Sequence, residues 1–217
     1  MSKQRIEINN RNYLKYKFFN SLFLGAGIGS YISQYQPIKI SEIAILGIGI
    51  GSYISQYEPI KISEIATLGI IFSFLSILIA RVYHKIIYKK YFFQISLFVE
   101  LVMVFWMLFF LIFPFSYKIA LLIYIARSIT FLFGDYLQRS ETHLLKKKKI
   151  FSFIDINRQI GTIIGMVFAV VYYYILEEYF QITENQKLVY YIHFILFGVE
   201  CIIIYFLLKS FRKVKAL

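Results

Sequence analysis

The sequence predicts an all-α integral membrane protein, a bundle of six transmembrane helices, and three observations predict it. The first is composition: of 217 residues 59% are hydrophobic, 20% aromatic and only 17% charged, with a mean hydropathy of +0.65. A water-soluble domain carries about 25% charged and about 45–50% apolar residues, so this surplus of Ile, Leu, Phe and Tyr calls for lipid as the solvent. The second is the length of the apolar runs, which match the ~20 residues that cross a ~30 Å hydrocarbon core as a helix. The third is the placement of Lys and Arg, which falls almost wholly on alternate loops. Together they exclude a soluble enzyme, a disordered regulator and a disulfide scaffold; the single Cys201 can form no intrachain disulfide.

Counting between charged residues and allowing isolated charges and snorkelling Lys and Arg at the ends places spans near 18–36, 64–83, 91–113, 118–138, 157–177 and 188–208. Pro114 closes the third. Residues 1–17 are basic and polar, without the compact apolar region and cleavage site of a secretory signal. They read as a retained cytoplasmic tail, the bundle occupies 18–208, and 209–217 is a second cytoplasmic tail. With six spans and the N-terminus inside, the inner segments hold 19 of the 24 basic residues and the outer ones four, Lys39, Lys61, Lys118 and Lys187. Cytoplasmic loops carry the excess of Lys and Arg, so both termini are expected inside, in a cell membrane. The net charge of +12 then reports topology, and nucleic acid is not an expected partner.

One apolar run, 43–57, is left over; its 15 residues reach only about 22 Å as helix. It belongs to an internal repeat. Residues 27–48, GIGSYISQYQPIKISEIAILGI, recur at once as 49–70 with only Gln36 to Glu58 and Ile45 to Thr67 changed. Two copies make no solenoid; they read as a tandem duplication that joins the end of helix one to the start of helix two, outside the membrane or re-entrant.

The glycines of the first span, Gly25, Gly27 and Gly29, and their copies Gly47, Gly49 and Gly51, resemble a piece of a dinucleotide fingerprint, but that fingerprint must follow a strand and open a helix in a soluble unit. Small residues at this spacing let membrane helices approach closely, and Gly161 and Gly165 in span five read the same way. Ionisable groups inside spans are functional candidates by default. Glu100, Arg127 and Glu200 lie near the centres of spans three, four and six, with Asp135 and Asn20 nearer the cytoplasmic mouth. Arg127 can neutralise one acid and leave the other as a proton carrier, or it can pair with one Glu merely to hold helices together. His193, near the start of span six, reads as interfacial. The run Lys146–Lys149 reads as a topology determinant that also suits anionic lipid. The sequence has no HExxH, no GxSxG and no phosphate-binding loop, so neither an enzyme nor a metal or cofactor site is expected.

The glycine-rich first span with Asn20, the Pro before ISEIATLGI, the basic inner loop, the Arg127 of IARSITFLFGD, a long basic loop and the span-five stretch NRQIGTIIGMVFA resemble the N-terminal half of a major facilitator superfamily transporter. The likeness covers the chain once one repeat copy is removed. The inner loop SILIARVYHK keeps Arg81 and Lys85, with Ser76 and Ala80 in the family's Gly and acidic places, and Phe131 stands where a Gly usually follows the span-four Arg. The resemblance implies membrane transport of a small solute, with Arg81, Lys85, Lys89 and Lys90 as inner-loop gate residues. The family's cavity lies between two six-helix halves, so the expected partner besides the lipid bilayer is a second half or a second copy. The alternative reading is a non-transporting structural or accessory membrane protein, the remnant of a broken transporter gene.

Overall fold

A computed structural model describes residues 4–29, 62–113, 129, 132–145, 148–182 and 184–215. Their elements are β1 (Gln4–Ile8), α1 (Asn10–Gly29), α2 (Ile62–Ile86), α3 (Lys89–Ile112), α4 (Gly134–Leu145), α5 (Lys148–Glu178), α6 (Asn185–Ser210) and β2 (Phe211–Lys215). The described chain is thus helical apart from one pair of short strands. Three of its helices are long and apolar enough to cross a membrane, over Lys89–Ile112, Lys149–Glu178 and Tyr190–Ser210. The extra run 43–57, Arg127, Lys146 and most of the expected fourth span lie outside the described residues.

Helix ends follow local chemistry. Asn9 caps α1, its Oδ1 accepting the Asn12 amide at 3.2 Å, the use for which Asn is favoured at that position. α3 stops at Phe113, whose amide still reaches the Phe109 carbonyl at 3.0 Å; Pro114 has no amide hydrogen with which to continue. α5 ends where Gln181 adopts φ 53°, which lets the Ile182 amide reach back to the Leu176 carbonyl at 3.1 Å.

The tightest contact is that between α1 and α5. A Cβ on Gly25 would stand 2.3 Å from the Thr162 carbonyl oxygen, one on Gly161 2.4 Å from that of Phe18, and one on Gly165 2.2 Å from that of Leu22. Backbone therefore lies on backbone, as small residues allow in membrane helices. α1 also packs on α6, and α3 on α6 and α4. Among the described helices, the main contacts thus run between the first three and the last three. α2 joins by its C-terminal end, where the Tyr136 hydroxyl donates to the Ile86 carbonyl at 2.7 Å and the Tyr83 and Tyr136 rings lie 5.6 Å apart. Its other face, with Ile70, Phe74 and Ile77, is exposed, as are Phe105 and Ile112 on α3 and Ile163, Val167 and Val171 on α5. An apolar exterior of this extent suits a hydrocarbon solvent.

The ends of the chain meet. β1 and β2 pair antiparallel, with Ile6 opposite Lys213; the Asn9 amide donates to the Ser210 carbonyl at 2.7 Å and the Asn12 side chain to the Lys209 carbonyl at 3.1 Å. The start of α1 therefore sits at the end of α6, its dipole antiparallel to that of its neighbour. Phe211 closes the seam against Phe92 at 5.9 Å and Phe93 at 4.8 Å. Helix and strand together occupy most of both segments that the sequence marked as tails.

Two measurements check this packing. Gly161→Leu or Gly165→Leu forces α1 and α5 apart and should lower stability by about 3 kcal/mol, the upper part of the overpacking range. Gly198→Ala, at a site with nothing within 4 Å, should be neutral or raise stability by up to about 1 kcal/mol, the helix preference of Ala over Gly. Thermal unfolding in detergent separates the two cases. For the paired ends, Ile6→Cys with Lys213→Cys in a Cys201→Ser background should form an intrachain disulfide on mild oxidation, seen as a reducible mobility shift; a pair that stays reduced contradicts the register.

Candidate functional site

α1 carries Tyr16, Lys17 and Asn20 within little more than one turn, and two polar layers are built on them. In the first, the Tyr16 hydroxyl donates to Glu100 Oε1 at 2.7 Å and the Asn20 side-chain amide donates to the same oxygen at 3.1 Å. The four-residue spacing of Tyr16 and Asn20 puts both on one helix face. Glu200, from α6, is buried close to Glu100. Glu100 is 3% exposed and Glu200 1%, and Glu200 Oε1 is buried with no hydrogen-bond partner among the described residues.

The second layer is an ion-pair triad. Glu141 Oε2, on α4, accepts from Lys17 Nζ at 2.8 Å and from an Arg158 guanidinium nitrogen at 3.4 Å, with the Glu141 side chain 5% exposed and that of Lys17 10%. The Lys17 ammonium also lies 5.4 Å from the Tyr13 ring centre and 5.6 Å from that of Tyr16, close enough for a cation–π contribution. Because α1, α4 and α5 each supply one member, the triad fixes three helices to one another.

Between the layers and α4 lies a cavity of about 530 Å³, whose lining includes Tyr16, Asn20, Phe23, Glu100, Asp135 and Glu200. Asp135 and Gln138 also line a shallower groove of about 700 Å³ along α4, so the cavity opens beside that helix. Its volume is in the range of about 300–1,000 Å³ typical of small-molecule sites.

Of the residues singled out from the sequence, Asn20 donates to Glu100, Glu200 lines the cavity beside them, and Asp135 stands exposed on the wall of the same cavity. Arg127 lies outside the described residues. Arg81, Lys85, Lys89 and Lys90 cluster at the turn between α2 and α3 and do not line the cavity. His193 is buried, 1% exposed, and its ring lies 4.4 Å from that of Phe110. Sequence reasoning missed Tyr16, Lys17, Glu141 and Arg158. Lys17 and Arg158 counted as solvated inner-loop charges, and the only signal for them was the position of Lys17 between Tyr16 and Asn20 on a helix that starts earlier than its apolar run.

No protein-family model, no curated protein and no solved structure matches the chain.

The triad sets up a double-mutant cycle. Lys17→Met leaves Glu141 with only the half-exposed Arg158, and removing one partner of a buried pair costs about 3–5 kcal/mol. Adding Glu141→Gln removes the orphaned charge, so the double variant should unfold at a higher temperature than Lys17→Met alone. Equal or lower stability of the double variant would show that the pair is not a buried ionic contact.

Proposed function

We propose that this chain is one half of a secondary active transporter for a small solute. In this reading six helices cross the cell membrane, both termini face the cytoplasm, and Glu100, Glu200 and Asn20 form the polar site. The observation that carries the reading is the convergence of ionisable groups from the middles of α3 and α6, which are long and apolar enough to span, on one cavity. Charges at such depth are expensive and mark solute or proton pathways, and transporter sites lie near the bilayer midplane. Support also comes from the joined ends of the chain, since an even number of crossings brings both to one side, and from the 19 to four division of basic residues. The motifs shared with the major facilitator superfamily point the same way. Transport in this scheme has the bundle rock against a second six-helix half or a second copy, with Arg81, Lys85, Lys89 and Lys90 at the moving inner turn and Arg127 as a further pathway residue in span four.

A second reading, a non-transporting accessory protein or the remnant of a transporter gene, draws on the 22-residue tandem copy, an insertion that a six-helix half does not need.

The test is flux. The purified chain in vesicles with an internal pH dye, given inward gradients of sugars, amino acids, organic anions and organic cations in turn, should show solute-dependent proton movement for one class. Glu100→Gln should reduce that movement by at least about tenfold, a barrier change of about 1.4 kcal/mol. Folded protein that moves no solute and no proton would favour the accessory reading.

A further inference from the structure

We propose that the cavity beside α4 binds a primary organic ammonium, an amphiphilic amine whose charged end sits at the Glu100–Glu200 pair and whose apolar body lies along Phe23, Val99 and Met103. This names the substrate class of the solute site proposed above and rests on that reading of the cavity.

The charge of the cavity comes first. Among the described residues, the groups on its wall and their direct partners are the carboxyls of Glu100, Glu200, Asp135 and Glu141 and the cations of Lys17 and Arg158. Lys17 and Arg158 both stand on this wall and both contact Glu141, so among the described residues four carboxyls face two cations. Such a site repels anions and draws cations, and the exposed Asp135 at its opening extends that field outward.

Hydrogen bonding then narrows the class. Glu100 Oε1 already accepts from Tyr16 and Asn20, whereas Glu200 lines the cavity, is 1% exposed, and its Oε1 accepts from no described group. A buried acceptor without a donor costs about 1–3 kcal/mol, so a ligand that brings N–H donors gains at that oxygen what a methylated cation does not. A metal ion is a poorer match: no three or more His, Cys, Asp or Glu side chains among the described residues are grouped to hold one. The apolar residues on the same wall, and about 530 Å³ of space, suit an amine with a hydrocarbon or aromatic body better than a bare ammonium ion.

The test uses the full-length chain in detergent and three probes of one shape: 2-phenylethylammonium, its neutral counterpart 2-phenylethanol, and the quaternary trimethyl(2-phenylethyl)ammonium. Titration calorimetry measures binding, with the fluorescence of the single tryptophan, Trp106, three residues along α3 from Met103, as a second signal. The primary amine should bind at least about tenfold more tightly than either of the others, each tenfold being about 1.4 kcal/mol. Glu200→Gln should weaken the amine by at least about tenfold and leave the alcohol unchanged; if that variant fails to fold, the ranking of the three probes on the unaltered chain still decides. Equal affinity of the amine and the alcohol, a quaternary ion that binds as well as the primary, or no binding of the amine at all would overturn the proposal. Vesicle flux separates it from the transport reading. Amine binding without flux removes transport and keeps the cation site, while flux of an anion or neutral solute without amine binding removes the cation site and keeps transport.

Discussion

The close approach of α1 to α5 is the constraint on which the rest of the bundle depends. Gly25, Gly161 and Gly165 bring backbone carbonyls to where side chains would otherwise stand, and membrane helices gain little from burying apolar side chains against each other when lipid is equally apolar. With α1 held there, its next face carries Tyr16, Lys17 and Asn20 toward α3, α4 and α6. A wider spacing would pull Lys17 from Glu141 and Tyr16 from Glu100 together, because all three α1 residues ride on one rigid rod. Shape complementarity at three glycines thus sets the position of the polar groups.

The two polar layers answer to different requirements. The Lys17–Glu141–Arg158 triad matches one acid with two cations and ties three helices, which suits a fixed contact. The Glu100–Glu200 pair sets one acid against another and is supported by neutral donors only, Tyr16 and Asn20. Each layer keeps one buried acid oxygen without a described hydrogen-bond partner, Glu141 Oε1 in the triad and Glu200 Oε1 in the pair.

The helical class, the apolar exterior and the position of α3, α5 and α6 were legible because the run lengths and charge gaps encode them directly: α3 spans 89–112 against an expected 91–113. Asn20, Glu100 and Glu200 were legible because charge and amide in an apolar run are conspicuous. What escaped lies at the helix ends. α1 begins at Asn10 and α4 reaches Leu145, so Lys17, Glu141 and Arg158 occupy helix that continues past the apolar run, where the count treats every charge as solvated. The strands were written in the alternation of QRIEI, but two five-residue strands carry no independent stability, and only their meeting across the whole chain makes them form. The partner that each buried charge would choose was not legible at all, since pairing is decided by helix packing and not by position along the chain.

The seam between β1 and β2 bears on the order in which the protein is made. The partner strand of β1 lies at 211–215, so the two can pair only after every intervening helix has been synthesised. Until then the Ser210 carbonyl, the Asn9 amide and the inner faces of Phe92 and Tyr13 stay open to solvent or to chaperones. The seam thus closes after the described helices have been made.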